Sequence, residues 1–174
     1  MNVKRMCRIA MMTALLCVIS PLSLPIGAIP ISLATLGVYF TGICLGSLDG
    51  LFAVGLYLLL GIVGVPVFSG YTAGLAHIAG ATGGYLVGYL PMAVLSGLAR
   101  GRSLAVRILF LILATAACYA LGTIWFVLLT QSAFAAAMAA CVLPFLPGDC
   151  LKILAVALPA KRLEKIASNR KTDV

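Results

Sequence analysis

Apolar residues in this chain fall in long unbroken blocks, separated by short stretches of proline, glycine or charge. Residues 9–19 form the first block, closed at Ser20-Pro21, where proline restricts its predecessor. Residues 31–45 form the second. The turn Gly46-Ser47-Leu48-Asp49-Gly50 separates it from a third block at 51–63, which Gly64-Val65-Pro66 ends. Residues 85–98 form the fourth, with a kink expected at Pro91. Residues 108–129 are the longest clean block, and the last runs from about 139 to 158. The alanine-rich stretch 131–140 reads either as a loop helix or as the start of that last span. Pro144 and Pro147 interrupt the chain beyond it, and Pro147 suits a first helical turn. A β-barrel would show alternating apolar and polar positions, and these runs are continuous.

The blocks predict six membrane crossings. At ~20 residues each they would use roughly 120 residues, leaving room only for short connections. The expected architecture is an all-α integral membrane protein, one compact bundle of six transmembrane helices spanning residues 1–174. The first block follows Lys4, Arg5 and Arg8 as the apolar core of a secretory signal would. No A-x-A-like cleavage site comes after it, so it is read as a retained first helix. Two connections stand out. Residues 21–30 carry Pro21, Pro25, Gly27 and Pro30, too much proline for regular helix. Residues 67–84 carry Gly70, Gly74, Gly80, Gly83, Gly84 and the only histidine, His77. That stretch is too broken for one helix, and irregular backbone at membrane depth is tolerated where it lines a cavity. A loop folded over a pocket fits it.

Composition agrees with this reading. Of 174 residues, 63% are hydrophobic and 9% charged, against about 25% charged in soluble domains. Eighteen glycines suit close helix contact, where small side chains let backbones approach. The six cysteines are dispersed without a C-x-x-C pair, and read as small packing residues, not metal or redox ligands.

Charge placement orients the bundle. Eleven of the twelve Lys and Arg lie near the N-terminus, in the stretch with Arg100, Arg102 and Arg107, or in the tail with Lys161, Arg162, Lys165, Arg170 and Lys171. The connections near 21–30, 67–80 and 131–144 hold none. Basic residues mark the cytoplasmic side, so both termini are expected inside. The net charge of +8 is then explained by orientation and anionic lipid, and no nucleic-acid partner is expected.

Lys152 is the basic residue that orientation leaves over. With Asp149 it interrupts the last apolar block, three positions apart on one helical face. Ionisable residues at membrane depth are expensive and default to a functional reading. The bland alternative is an intrahelical ion pair that satisfies itself. Its weakness is that two charges in a dry bundle are poorly repaid. A proton relay would want a second acidic partner, which the block lacks. As a neutral unit, the pair offers acceptors and donors to a small molecule bearing amide-like N–H groups and a carbonyl. No catalytic motif is present: there is no G-x-S-x-G, no H-E-x-x-H and no phosphate-binding Walker A loop. The chain is not expected to be an enzyme, to hold a cofactor or metal, or to use ATP itself. His77 reads as an ordinary polar loop residue, with a pocket contact as the lesser alternative.

Several stretches together resemble the BioY family. They are Pro-Ile-Ser-Leu-Ala-Thr-Leu-Gly at 30–37, Pro-Val-Phe at 66–68, Gly-Ala-Thr-Gly-Gly-Tyr-Leu at 80–86, Gly-Thr-Ile-Trp-Phe at 122–126 and Pro-Gly-Asp-Cys-Leu-Lys at 147–152. Ala34, Tyr71, Ala73 and Ala81 depart from the family's usual residues. The family is the biotin-binding S component of energy-coupling-factor (ECF) vitamin transporters. The resemblance implies six helices in a prokaryotic plasma membrane, with biotin in an outward-facing pocket and a separate coupling subunit with two ATPase subunits. It implies biotin contacts from Asp149 and Lys152, with Phe68, Thr82 and Tyr85 as lining residues and Trp125 as apolar wall or interfacial anchor. Ala10 and Ala14, small residues one turn apart in the first helix, resemble the family's docking motif for the coupling subunit. On residue spacing alone they could equally be an internal packing seam. The competing class is a stand-alone facilitator of biotin or another small vitamin, and a third is a structural membrane protein without a ligand.

Overall fold

The computed structural model describes residues 3–24 and 31–160. Pro25, Gly27 and Pro30 of the first connection, and the basic tail from Lys161 onward, lie outside the described residues. So does any placement of the two chain ends.

Helix α1 (Val3–Ile19) starts earlier than the apolar block and carries Lys4, Arg5 and Arg8 on its first turns. It ends where Pro21 approaches. A two-residue antiparallel ladder comes next, β1 (Ser23–Leu24) with β2 (Ile31–Ser32), in the register Ser23↔Ser32 and Leu24↔Ile31. Helix α2 (Ala34–Leu45) begins immediately after it. Ser32 anchors that start: its hydroxyl donates to Ser20 O at 2.8 Å and accepts from the Ala34 N–H at 2.9 Å.

Gly46 alone separates α2 from α3 (Ser47–Val63), at φ +89°, a left-handed conformation glycine adopts without penalty. The turn expected at 46–50 is therefore shorter, and Asp49 sits in the first turn of α3, paired with Arg5 of α1. Arg100 donates to Leu45 O at 2.9 Å, a cation at the carbonyl end of α2.

The glycine-rich segment contains one short helix, α4 (Leu75–Ala79). The backbone of the segment is tied down at both sides. Gly70 N–H reaches Pro21 O at 3.1 Å, and Gly74 N–H reaches Gly61 O at 2.8 Å.

Helix α5 (Gly83–Leu98) contains Pro91 and packs along α6 (Leu104–Thr130), the most extensive helix pair among the described residues. Glycine makes the approach possible. A Cβ on Gly84 would lie 2.3 Å from the Trp125 Cβ and 2.8 Å from Leu121 O. Helix α6 begins at Leu104, ahead of the apolar block, so Arg107 lies inside it and not in the basic turn expected there. It is buried, with Nη1 donating to Ala157 O at 3.1 Å.

The stretch 131–140 resolves as a separate helix, α7 (Phe134–Cys141), then a turn and α8 (Leu146–Ala157) with Pro147 in its first turn. Helix α8 buries both of its charged side chains and turns leucines outward. Asp149, Lys152, Ile153 and Val156 are buried, whereas Leu151, Leu154 and Leu158 are exposed. That inversion suits apolar surroundings, since water would favour the opposite. Helix α6 is the one described helix long and apolar enough to cross a membrane by itself; α2, α3 and α5 are apolar but shorter.

Candidate ligand-binding site

A cavity enclosing about 570 Å³, counting its open mouth, lies among α2, α5, α6, α8 and the glycine-rich segment. Asp149 and Lys152 line it, with 4% and 9% of their surfaces exposed.

Lys152 Nζ lies 3.0 Å from Asp149 Oδ1, 2.9 Å from Thr35 Oγ1 and 2.8 Å from Ser32 O. An ammonium has three hydrogens, so this one is fully used. The acceptors come from two helix starts: α8 brings Asp149, while β2 and the first turn of α2 bring Ser32 and Thr35. Thr35 in turn donates to Asp149 Oδ1 at 3.4 Å. The other carboxylate oxygen, Oδ2, accepts the phenolic hydrogen of Tyr119 from α6. Asp149 lies in the first turn of α8, where the helix N-terminus favours an anion. The charged pair is thus satisfied by three other elements, not only within its own helix.

Two of the other expected lining residues are at the cavity wall. Tyr85 lines it from α5, its hydroxyl 3.4 Å from Cys141 O. Thr82 lines it from the glycine-rich segment, its Oγ1 3.2 Å from His77 Nε2.

Phe68 and Trp125 stand behind the wall. Phe68 is fully buried, edge-on to Tyr57 and stacked on His77, with its ring over Gly61, where a Cβ would come within 2.1 Å. Trp125 is 39% exposed on α6, and its indole N–H donates to Gly80 O at 3.0 Å. Both hold the glycine-rich segment in place. Ala10 and Ala14 lie apart from the cavity, exposed on one face of α1.

The cavity also has walls that sequence reading passed over: Ser32, Thr35, Ser69, Leu86, Tyr89, Cys118, Tyr119, Cys141 and Phe145. His77, read as an ordinary loop residue, is among the lining residues too. Burial holds its imidazole below the ordinary histidine value. For Tyr119 the available signal was a phenolic hydroxyl in the middle of a mostly apolar helix. Ser32 and Thr35 gave only short hydroxyls beside a helix start.

Known proteins match this chain along nearly its whole length. A family model described as the BioY family matches residues 1–169. A probable biotin transporter BioY from Pyrococcus horikoshii is 34% identical, over 94% of this chain and 98% of its own length. The biotin transporter BioY of Thermotoga maritima is 32% identical, over 96% of this chain and 99% of its own. In three dimensions the chain is similar to the S-component for biotin from an ECF-type ABC transporter, known from a crystal structure. The TM-score is 0.86 at 28% identity, covering 94% of this chain and 92% of that one. Sequence and fold agree: the chain belongs to the BioY family.

Proposed function

We propose that this chain is the biotin-capturing membrane subunit of an ECF-type uptake transporter in a prokaryotic plasma membrane. The observation that carries the reading is the buried cluster of Asp149, Lys152, Thr35 and Tyr119 at the wall of the cavity. Biotin's ureido ring has two N–H groups and one carbonyl. Asp149 Oδ2 retains a lone pair beside the Tyr119 bond and accepts a ureido N–H. Lys152 redirects one of its N–H groups from Thr35 or Ser32 to the ureido carbonyl. The bicyclic ring and its chain lie against Tyr85, Leu86, Tyr89 and Phe145. Phe68 and Trp125 serve by fixing the glycine-rich cover.

Helices α1, α2, α3, α5, α6 and α8 are the six crossings in this reading, with the glycine-rich segment and α7 outside and both termini in the cytoplasm. The absence of Lys and Arg from the connections near 21–30, 67–80 and 131–144 supports that orientation. With no phosphate-binding motif in the sequence, energy comes from two ATPase subunits through a coupling subunit. Ala10 and Ala14, exposed on α1, present the docking face.

Reconstitution in biotin-free vesicles tests the proposal. Uptake of labelled biotin that requires coupling and ATPase subunits with ATP supports it. Equal uptake by this chain alone, without ATP, makes it a stand-alone facilitator instead.

A further inference from the structure

Behind Tyr119 lies a second recess, between α6 and α7, that the ligand cavity does not include. Helix α6 lines it with Ala116, Ala120 and Ile124, and the facing wall carries Phe134, Met138 and Val142. Both sets repeat every four residues, the spacing of one helical face. Two hydroxyls also belong to the lining, and both are directed elsewhere. Tyr119 donates to Asp149 Oδ2, and Thr123 Oγ1 lies 3.5 Å from the Tyr85 hydroxyl. Ordered water needs several polar partners, and the recess offers it hydrocarbon.

The recess opens on the outer surface of the bundle. Ala116, Ala120, Ile124, Phe134 and Met138 are all exposed. Its α6 wall belongs to the described helix that is long and apolar enough to cross a membrane, so the bilayer interior borders it. Ala117 is the midpoint of Leu104–Thr130, and the lining stripe runs from there towards the Thr130 end. At 1.5 Å per residue the stripe covers about 12 Å, close to the ~15 Å of hydrocarbon in one leaflet. Residues 131–141, beside its outer end, carry no charge. The docking face proposed on α1 belongs to a helix packed on α2 and α3, so the coupling subunit meets a different part of the bundle.

We infer that this recess is a binding site for one acyl chain of a membrane lipid. Tyr119 links the site to the ligand, because it lines both the recess and the cavity. A chain in the recess backs the ring with dispersion contacts and keeps its hydroxyl on Asp149. The lipid tail thus completes the wall of the ligand site from outside. That link rests on the biotin reading above, whereas the lipid site does not.

The test uses the full chain purified in a bile-salt-type detergent, which has no alkyl chain, and titrated with dioleoyl phosphatidylcholine. Native mass spectrometry reads lipid retention, and calorimetry reads biotin affinity. Ala120→Phe puts a ring in the recess, and Ala116→Leu fills its inner end. The wild type is expected to hold one lipid, and each variant to hold it about tenfold more weakly, the worth of two methylenes left unburied. Dioleoyl phosphatidylglycerol should bind equally well, since no charged residue stands by to read the headgroup. Lipid should improve biotin affinity severalfold in the wild type and leave it unchanged in Ala120→Phe. Equal lipid retention by the wild type and both variants overturns the acyl-chain site. A lipid-free dimer also overturns it, making the recess an interface between copies. Lipid retention with no effect on biotin affinity overturns the link through Tyr119. Lipid retention without any biotin binding overturns the biotin reading instead, a distinct result.

Discussion

Tyr119 of α6 and Asp149 of α8 are joined by a hydrogen bond from the phenol to Oδ2, while Lys152 holds Oδ1 at 3.0 Å. A single carboxylate thereby fixes the spacing of two helices beside the cavity and leaves one acceptor position for a ligand. Removing the phenol deletes a bond to a charged group, worth about 1.5–3 kcal/mol. Tyr119→Phe is expected to weaken biotin binding by roughly ten- to a hundredfold with little loss of helix content. Titration calorimetry alongside circular dichroism reads both. Unchanged affinity would remove Tyr119 from the site.

The ion pair itself should be costly to break and cheap to replace. Lys152→Ala leaves a buried carboxylate uncompensated, and such changes cost about 3–5 kcal/mol. Replacing both residues together, Asp149→Leu with Lys152→Leu, should restore most of that stability, since apolar substitutes for buried pairs are often neutral or better. Thermal unfolding in detergent is the measurement. The double variant should be stable and unable to bind biotin.

Trp125 is the only tryptophan, and it holds Gly80 of the cover. Its fluorescence should change when biotin binds and the cover settles. Gly84→Ala places a methyl 2.3 Å from the Trp125 Cβ, so α5 and α6 must separate. The expected cost is about 1–3 kcal/mol, as for other overpacked contacts. A wild-type melting temperature in this variant would contradict the packing described.

The sequence made some of this legible and hid the rest for physical reasons. Asp149 and Lys152 were visible because charge inside an apolar run is costly and stands out against its neighbours. The glycine-rich cover was visible because its backbone could not be one helix. Thr35, Ser32 and Tyr119 were not, since periodicity reports which face of a helix turns inward but not which side chain of another helix it meets. Arg107 was expected in a basic turn because its neighbours Arg100 and Arg102 lie in one, whereas α6 extends through it and buries it. Phe68 and Trp125 were expected at the cavity wall. Gly61 and Gly84 draw them instead into packing behind it, through contacts that spacing alone does not encode.

The central claim is that the buried pair on α8 reads the polar head of biotin. Isothermal titration of biotin into the purified chain, beside Asp149→Asn and Lys152→Ala, tests it most directly. The account predicts saturable binding by the wild type and a loss of at least about 2 kcal/mol, some thirtyfold, in each variant, as for truncation of one partner in a buried charge pair. Wild-type affinity in both variants, or no binding by the wild type, would contradict it.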